Sequence, residues 1–188
     1  MSRFNEGVPM VAIEHPLVDS LSMRQALGHF PTGVVVITSM HNDVPVGMTL
    51  QSFVSLSLDP PLILLSVARS STTWPLIERS GRFVVNVLAQ EQDLVARQFA
   101  RSGTDKFAGV DAFHVNGLGG SVIAGGVAWI DCSVQDEFDG GDHIIVVARV
   151  LGLDCPSRNG EVLPPLVFHK SGFQTLAAPA SPATQEKR

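Results

Sequence analysis

The sequence of 188 residues has no tyrosine, only two cysteines and no cluster of lysine or arginine. Its 13 basic and 18 acidic residues give a formal net charge of −5, without the basic patch typical of proteins that bind nucleic acids or anionic membranes. No apolar run reaches the ~18–20 residues that a membrane span requires. The first 20 residues are acidic rather than signal-like. We therefore expect a cytoplasmic protein with neither nucleic acid nor membrane as a partner.

The common catalytic and metal-binding motifs are also missing. There is no G-x-S-x-G elbow, no Walker loop and no H-E-x-x-H pair. Cys132 and Cys155 lack metal-ligand spacing, and Cys132 is expected in a core strand. The glycine-rich stretch 117–120 does not match the dinucleotide fingerprint and is more typical of a turn. We therefore predict no metal site and assign no catalytic side chain.

What the sequence does contain is a series of short apolar runs separated by turns. Its residues are 45% hydrophobic, and it has 17 glycines and 12 prolines, a pattern typical of a strand-rich domain. Residues 34–38 and 44–49 predict one hairpin. Residues 127–137 and 144–153 predict another around the turn Asp139-Gly140-Gly141-Asp142.

The remaining runs complete a mainly β protein. The further predicted elements are strands at 53–58, with one buried face, and at 62–67, 82–88 and 166–169, and helices starting at a capping box on Ser22, near Ser70 and at Gln90. Links of hairpin length favour a closed antiparallel barrel of six or seven strands with a few short flanking helices. We expect an irregular N-terminal segment (1–20), one domain (21–176) and a disordered tail (177–188).

Three segments carry residue types suited to a cofactor. The stretch Gly47–Ser57 is rich in hydroxyl groups, which could read the edge of a planar heterocycle or simply line a half-exposed strand. Ala68–Thr72 combines an arginine with three hydroxyls, which suits a phosphate but also an ordinary helix cap. Gly140–His143 is a turn that puts a histidine at a rim, within reach of a ligand or in solvent. Lys106-Phe107 is equally ambiguous.

Taken in order, these segments resemble the short-chain flavin reductase family, the reductase partners of two-component flavin-dependent monooxygenases. The similarity covers roughly residues 23–176, and the shared order and spacing of its pieces make it specific. The pieces are Phe30-Pro31-Thr32-Gly33-Val34, Gly47-Met48-Thr49-Leu50-Gln51-Ser52-Phe53, Ser55 with Ser57, Asp59-Pro60-Pro61, Ala68-Arg69-Ser70-Ser71-Thr72, Phe83–Leu88, Asp105-Lys106-Phe107, Ala128–Cys132, Gly141-Asp142-His143 and Pro165–Phe168.

The resemblance implies an FMN-binding split barrel that forms a homodimer with flavin near the interface. It also implies hydride transfer from NADH or NADPH to free FAD or FMN, which then diffuses to a partner monooxygenase. Residues 49–53 would hold the ring edge, residues 68–72 the phosphate end, and His143 the nicotinamide cofactor. The implied cofactor-binding residues are Thr32, Met48, Thr49, Leu50, Gln51, Ser52, Phe53, Ser55, Ala68, Arg69, Ser70, Ser71, Thr72, Lys106, Phe107, His143 and Phe168.

The sequence departs from the family pattern at a few positions. Leu50 and Gln51 stand where many members have Ala and Asn, so backbone groups are expected to read the ring more than side chains. Phe168 is one of the residues available where the family often has a tyrosine. Two alternatives stay open: a pyridoxamine-phosphate-oxidase-like or deazaflavin enzyme, and a non-catalytic flavin-binding module. NADH is favoured because no additional arginine marks a 2′-phosphate pocket, whereas FAD and FMN are not distinguished.

Overall fold

The computed structural model describes residues 18–156 and 163–176 of the chain. The predicted N-terminal segment, except for its last three residues, and the predicted tail lie outside the described residues.

The described residues form a mainly β protein with a few short helices, as predicted. The helices are α1 (Ser20–Leu27), α2 (Trp74–Ser80) and α3 (Asp93–Ala100). The strands are β1 (Thr32–Gly33), β2 (Val35–His41), β3 (Val44–Leu50), β4 (Val54–Leu58), β5 (Pro61–Ala68), β6 (Arg82–Val87), β7 (Ala112–His114), β8 (Ser121–Ile123), β9 (Ala128–Gly140), β10 (His143–Asp154), β11 (Val167–His169) and β12 (Gly172–Gln174).

Seven of these strands form one antiparallel sheet in the order β3-β2-β6-β9-β10-β5-β4. Both predicted hairpins are confirmed, as β2–β3 and β9–β10. The small strands β1, β11 and β12 make a separate three-stranded sheet, and β7 pairs with β8. The β9–β10 hairpin lies inside the main sheet, so its turn is held next to the end of β5, where His143 lies opposite Ala68.

The predicted closure of the barrel is wrong. In the part of the chain that the structure describes, β3 and β4 are the two edges of the main sheet and do not pair with each other. The reason lies in the link between them, because Gln51–Phe53 leave the strand conformation. The Ser52 hydroxyl instead donates to the Ser66 carbonyl (2.6 Å) and accepts from the Ser66 N–H (3.1 Å). This link is thus tied to β5 through a side chain, and the backbone pairing with β5 begins only at Val54 in β4.

Two apolar clusters lie on opposite faces of β2 and β6. Because successive side chains on a strand point to opposite faces, Val35 and Ile37 enter the first cluster while Val34 and Val36 enter the second. The first cluster includes Trp74 of α2, and the second is packed against α3 and the small sheet. Strand β2 is therefore buried on both faces.

A buried polar network fixes β8 and the residue Gly119 just before it against the main sheet. The Asn86 amide donates to the carbonyls of Val36 and Ser121, both at 3.2 Å, and accepts from the Ile123 N–H at 2.8 Å. Nearby, the Asp131 carboxylate accepts from the Gly119 N–H. The predicted surface loop at 101–120 is therefore wrong at its C-terminal end, where Gly119 and Gly120 are buried.

Three local expectations also need correction. Helix α1 begins earlier than predicted, because the Asp19 carboxylate caps it by accepting from Leu21 and Ser22 N–H groups. Helix α3 begins at Asp93 and not at the predicted Gln90, and its Leu94 is exposed. Strand β4 was expected to have one buried face, yet its leucines, Leu56 and Leu58, are both exposed in the single chain. The last two differences leave apolar side chains on the surface.

A close approach at Gly120 generates a stability prediction. A Cβ atom built there would lie 2.2 Å from the Thr38 carbonyl oxygen, whereas one at Gly33 would meet nothing within 4 Å. Gly120→Ala forces backbone atoms apart and should lower the free energy of unfolding by about 1–3 kcal/mol. The matched Gly33→Ala should change it by less than about 0.5 kcal/mol. Urea unfolding of both variants checks this, and equal effects would contradict the packing described.

Candidate functional site

A cavity of about 410 Å³ opens between β3, the start of α2 and the loop at 103–107. This volume is in the range of small-molecule sites, about 300–1,000 Å³. Its walls combine apolar side chains with hydroxyl, carboxylate and ammonium groups. The lining residues are Val44, Pro45, Val46, Gly47, Thr72, Thr73, Leu76, Gly103, Thr104, Asp105, Lys106 and Phe107. Three of the residues expected to bind cofactor therefore meet here.

Lys106 is the basic residue of this cavity. Its Nζ atom donates to the Gly47 carbonyl at 2.9 Å and to the Thr73 hydroxyl at 3.3 Å, and both partners are neutral. Burial lowers the pKa of the Lys106 ammonium from its ordinary value. No carboxylate of the described residues forms an ion pair with it. A half-buried cation without an acidic partner is suited to receive an anion.

The loop that carries Lys106 is held from both sides. The Gln98 side chain of α3 donates to the carbonyls of Lys106 (3.0 Å) and Ala108 (2.9 Å). The Phe107 ring meets the Phe99 ring edge-on at 4.9 Å. The same Phe99 ring comes so near Gly47 that a Cβ there would lie 2.8 Å from it. Glycine at this position lets α3 approach β3 and leaves the Gly47 carbonyl to Lys106.

The start of α2 supplies the hydroxyls of the cavity. Thr72 and Thr73 line it, while Ser71 lies behind them, where its hydroxyl accepts from the Trp74 N–H at 3.1 Å. Ser71 also donates to the sulfur of Met48 at 3.6 Å, so the expected ring segment and the expected phosphate segment are in contact. Ser71 thus has a capping role that leaves the two threonines to face the cavity.

The segment expected to hold the ring presents few free side-chain groups. The Thr49 hydroxyl donates to the Ala96 carbonyl of α3 at 2.7 Å, and Ser52 is bonded to Ser66. Leu50 is buried in the first apolar cluster, which Phe53 packs against, and Gln51 is exposed. A ligand at this segment would therefore meet backbone groups more than hydroxyls. That was the expectation from Leu50 and Gln51, and it stays a prediction.

The turn of the β9–β10 hairpin brings His143 next to the segment 68–72. Arg69 donates from Nη2 to Asp139 Oδ1 at 2.5 Å and from Nε to the Gly141 carbonyl at 2.9 Å. His143 Nδ1 lies 2.7 Å from Asp142 Oδ1. The hydrogen bond from His143 lowers the pKa of Asp142. The arginine expected at a phosphate is thus bonded to this turn and does not line the cavity.

The other expected residues lie apart from these groups. Thr32 and Phe168 are directly opposite each other where β1 pairs with β11. Phe168 packs, as Phe107 does, against the second apolar cluster. Ser55 lies on the exposed edge strand β4, and Ser70 is also exposed. Their contact with a cofactor stays a prediction.

The titratable groups elsewhere offer no alternative catalytic centre among the described residues. Burial raises the pKa of the Cys132 thiol to about 12, so it is not a nucleophile at neutral pH. Burial, with repulsion from Glu78, raises the pKa of Glu137, whose carboxylate accepts from the Trp74 indole at 3.1 Å. Within 18–156 and 163–176, no cluster of His, Cys, Asp and Glu could hold a metal ion, and no helix is long and apolar enough to cross a membrane.

The family of flavin reductase like domains matches residues 27–177. The chain belongs to the flavin reductase-like family. The reductase subunit HsaB of a flavin-dependent monooxygenase from Mycobacterium tuberculosis is 45% identical over 157 residues, which cover 83% of this chain and 82% of HsaB. The FMN reductase (NADH) SmoA from Agrobacterium fabrum is 40% identical over 155 residues, which cover 82% of this chain and 85% of SmoA.

A solved structure in this family agrees with the fold. The NADH:FAD oxidoreductase SgcE6 of Streptomyces globisporus, in complex with NAD and FAD fragments, matches with a TM-score of 0.80 and 33% identity. The match covers 89% of this chain and all of that one (100%). SmoA is named for FMN and SgcE6 for FAD. Membership of the flavin reductase-like family therefore leaves the choice between the two flavins open.

Sequence reasoning missed some residues that the structure brings to the flavin reductase-like site. Thr73, which contacts Lys106, directly continues the run of hydroxyls at 70–72, so a local signal for it existed. Asp139, the partner of Arg69, gave no such signal, because 70 positions separate the two in the chain. Only the register between β5 and β10 brings them together.

Proposed function

We propose that this chain is an NAD(P)H-dependent flavin reductase that takes free FAD or FMN and releases the reduced flavin to a partner monooxygenase. The bound cofactors supply the chemistry, which is hydride transfer from the nicotinamide to the flavin. The protein's tasks are then to bind and orient the two cofactors and to exclude water from them. The observation that carries the proposal is the cavity at Lys106, a half-buried cation among hydroxyls in a chain of this family.

The residues of the cavity fit the phosphate end of a flavin. Lys106 offers positive charge without an acidic partner among the described residues, and Thr72 and Thr73 offer hydroxyl donors beside it. Asp105 also lines the cavity, but its carboxylate is bonded to the Phe107 N–H at 3.0 Å. Lys106 is therefore our first candidate for the phosphate. Ser71 supports the two threonines from behind.

The ring of the flavin would lie along residues 48–53, next to the phosphate end through the contact between Met48 and Ser71. Backbone groups of this segment are left to read its polar edge, because the hydroxyls of Thr49 and Ser52 are already bonded. His143 would contact the nicotinamide cofactor from the hairpin turn. NADH is our preferred donor, since SmoA and SgcE6 are both named as NADH-dependent.

We further propose that the chain is a homodimer joined through β4. This edge strand exposes Val54, Leu56 and Leu58, and the end of β10 exposes Leu151 and Leu153. Exposed apolar edge strands are generally paired or covered. Because the ring segment leads directly into β4, the flavin would lie near the interface.

The domain at 21–176 is proposed as the whole catalytic unit. A cytoplasmic location also stays our proposal, supported by the free thiols of Cys132 and Cys155.

A steady-state assay tests the proposed activity. Purified protein should oxidise NADH only when free FMN or FAD is added, because the nicotinamide alone has no acceptor. It should oxidise NADPH less efficiently. Loss of absorbance at the nicotinamide band measures the rate for all four pairs. A protein that retains flavin through purification but does not turn over would instead be a flavin-binding module, and no flavin-dependent oxidation with any pair would exclude the proposal.

The role of Lys106 can be separated from that of the ring site by using riboflavin, which lacks the phosphate. Lys106→Met should raise the KM for FMN about tenfold or more, because a hydrogen bond between charged groups is lost. The KM for riboflavin should stay unchanged. Lys170→Met, at an exposed lysine outside the cavity, is the matched control. Equal changes with FMN and riboflavin would remove Lys106 from the phosphate site.

The dimer can be tested at two exposed leucines. Leu58 on β4 is 90% exposed and Leu94 on α3 is 74% exposed, so neither substitution should disturb the fold of the chain. Leu58→Asp should weaken the dimer at least about tenfold, since it buries a charge in the interface. Leu94→Asp should leave it intact. Sedimentation velocity gives the result, and a monomeric wild-type chain at micromolar concentration would contradict the proposal.

A further inference from the structure

Arg69 follows β5 directly and makes three hydrogen bonds to one turn of the chain. Its backbone N–H donates to the Asp142 carbonyl at 3.0 Å. Its Nε donates to the Gly141 carbonyl at 2.9 Å, and its Nη2 donates to Asp139 Oδ1 at 2.5 Å. The planar guanidinium therefore donates to two separate acceptors of the β9–β10 turn, a geometry that lysine does not offer.

The partners of Arg69 are also joined to each other. Asp139 Oδ1 accepts from the Gly141 N–H at 3.2 Å as well as from Arg69. The hydrogen bond from Arg69 is the main cause that lowers the pKa of Asp139, so the carboxylate is ionised at neutral pH. Residue Gly141 is thus fixed at both of its backbone groups, the N–H by Asp139 and the carbonyl by Arg69. The ion pair thus contacts the turn at Gly141, in addition to the β9–β10 ladder that closes it.

His143 lies two residues after Gly141, at the start of β10. Its Nδ1 lies 2.7 Å from Asp142 Oδ1, and its side chain is 43% exposed. Because a carboxylate only accepts, Nδ1 carries a hydrogen and Nε2 is the ring nitrogen left for a ligand. The direction of Nε2 is therefore set by Asp142, whose own carbonyl is held by the Arg69 N–H.

We propose that Arg69 is a positioning residue for His143, and that it orients the turn for the nicotinamide cofactor rather than binding the flavin phosphate. This inference rests on the proposed function and assigns Arg69 a role different from the one that the family resemblance implies. An exposed ion pair contributes little stability by itself. Its loss therefore affects the placement of His143 more than the folding of the domain.

The two roles of Arg69 predict opposite kinetic results. Arg69→Ala and Asp139→Asn should each raise the KM for NADH about fivefold and leave the KM for FMN within about twofold of wild type. Arg69→Lys should raise the KM for NADH less than Arg69→Ala does. The lysine can still pair with Asp139, but it cannot donate to the Gly141 carbonyl at the same time. Arg79→Ala, at an exposed arginine in the last turn of α2, is the control.

Several outcomes would overturn the proposal. A higher KM for FMN with an unchanged KM for NADH in Arg69→Ala would indicate that Arg69 binds the flavin phosphate. Equal effects on both substrates, or effects no larger than those of Arg79→Ala, would also overturn it. An unchanged KM for NADH in Asp139→Asn would do the same, because that variant removes the charge with which Arg69 pairs.

Hydrogen exchange gives a second readout that needs no turnover. In Arg69→Ala, the amides of residues 140–144 should exchange faster than in wild type and in Arg79→Ala, while the rest of the sheet stays unchanged. Unaltered exchange in the turn would overturn the inference. Because this measurement uses no substrate, it stays informative if wild-type protein fails to oxidise NADH, a result that would contradict only the proposed function.

Discussion

The antiparallel pairing of β9 with β10 is the interaction on which the rest of the structure depends. The two strands, of 13 and 12 residues, lie in the middle of the main sheet, and β6 and β5 pair with their outer sides. Their register fixes which residues of β5 lie opposite the hairpin turn. The place of His143 opposite Ala68 therefore follows from the register of the sheet, whereas its side chain is bonded within the turn, to Asp142.

The segment 68–73 joins the two parts of the proposed site. At one end Arg69 is neutralised by Asp139 in the hairpin turn, and at the other Thr73 contacts Lys106 in the cavity. One short stretch of chain thus connects the proposed nicotinamide contact with the proposed phosphate contact. The two cations differ in what surrounds them, because the guanidinium has a carboxylate partner and the ammonium has only neutral ones. This difference is the reason that we propose Lys106, and not Arg69, as the contact for an incoming anion.

Local patterns in the sequence predicted the elements of the fold well. The β2–β3 and β9–β10 hairpins were predicted because β-branched runs and turn residues act over short distances. The open sheet was not predicted, because it depends on the backbone of Gln51–Phe53, which leaves the strand conformation between β3 and β4. The exposed apolar residues of β4 were equally unpredictable, since alternation indicates a buried face without saying whether this chain or a second copy covers it.

The same limit explains what could be foreseen of the site. Residue type and family resemblance pointed to Thr72 and Lys106, which line the cavity, and Thr73 extends the same run of hydroxyls. The ion pair between Arg69 and Asp139 needs the register of three strands and leaves no trace in sequence spacing. The hydroxyls of Thr49 and Ser52 already bond within the fold, which residue type alone does not reveal, and their contact with a ligand stays a prediction.

The assignment of the cavity at Lys106 to the flavin phosphate is the central claim, and a crystal structure of the protein with FMN bound tests it most directly. We expect the phosphate oxygens about 2.7–3.2 Å from Lys106 Nζ and from the threonine hydroxyls at the start of α2, with the ring along residues 48–53. A phosphate bound to Arg69, or a ring placed away from that segment, would contradict the account.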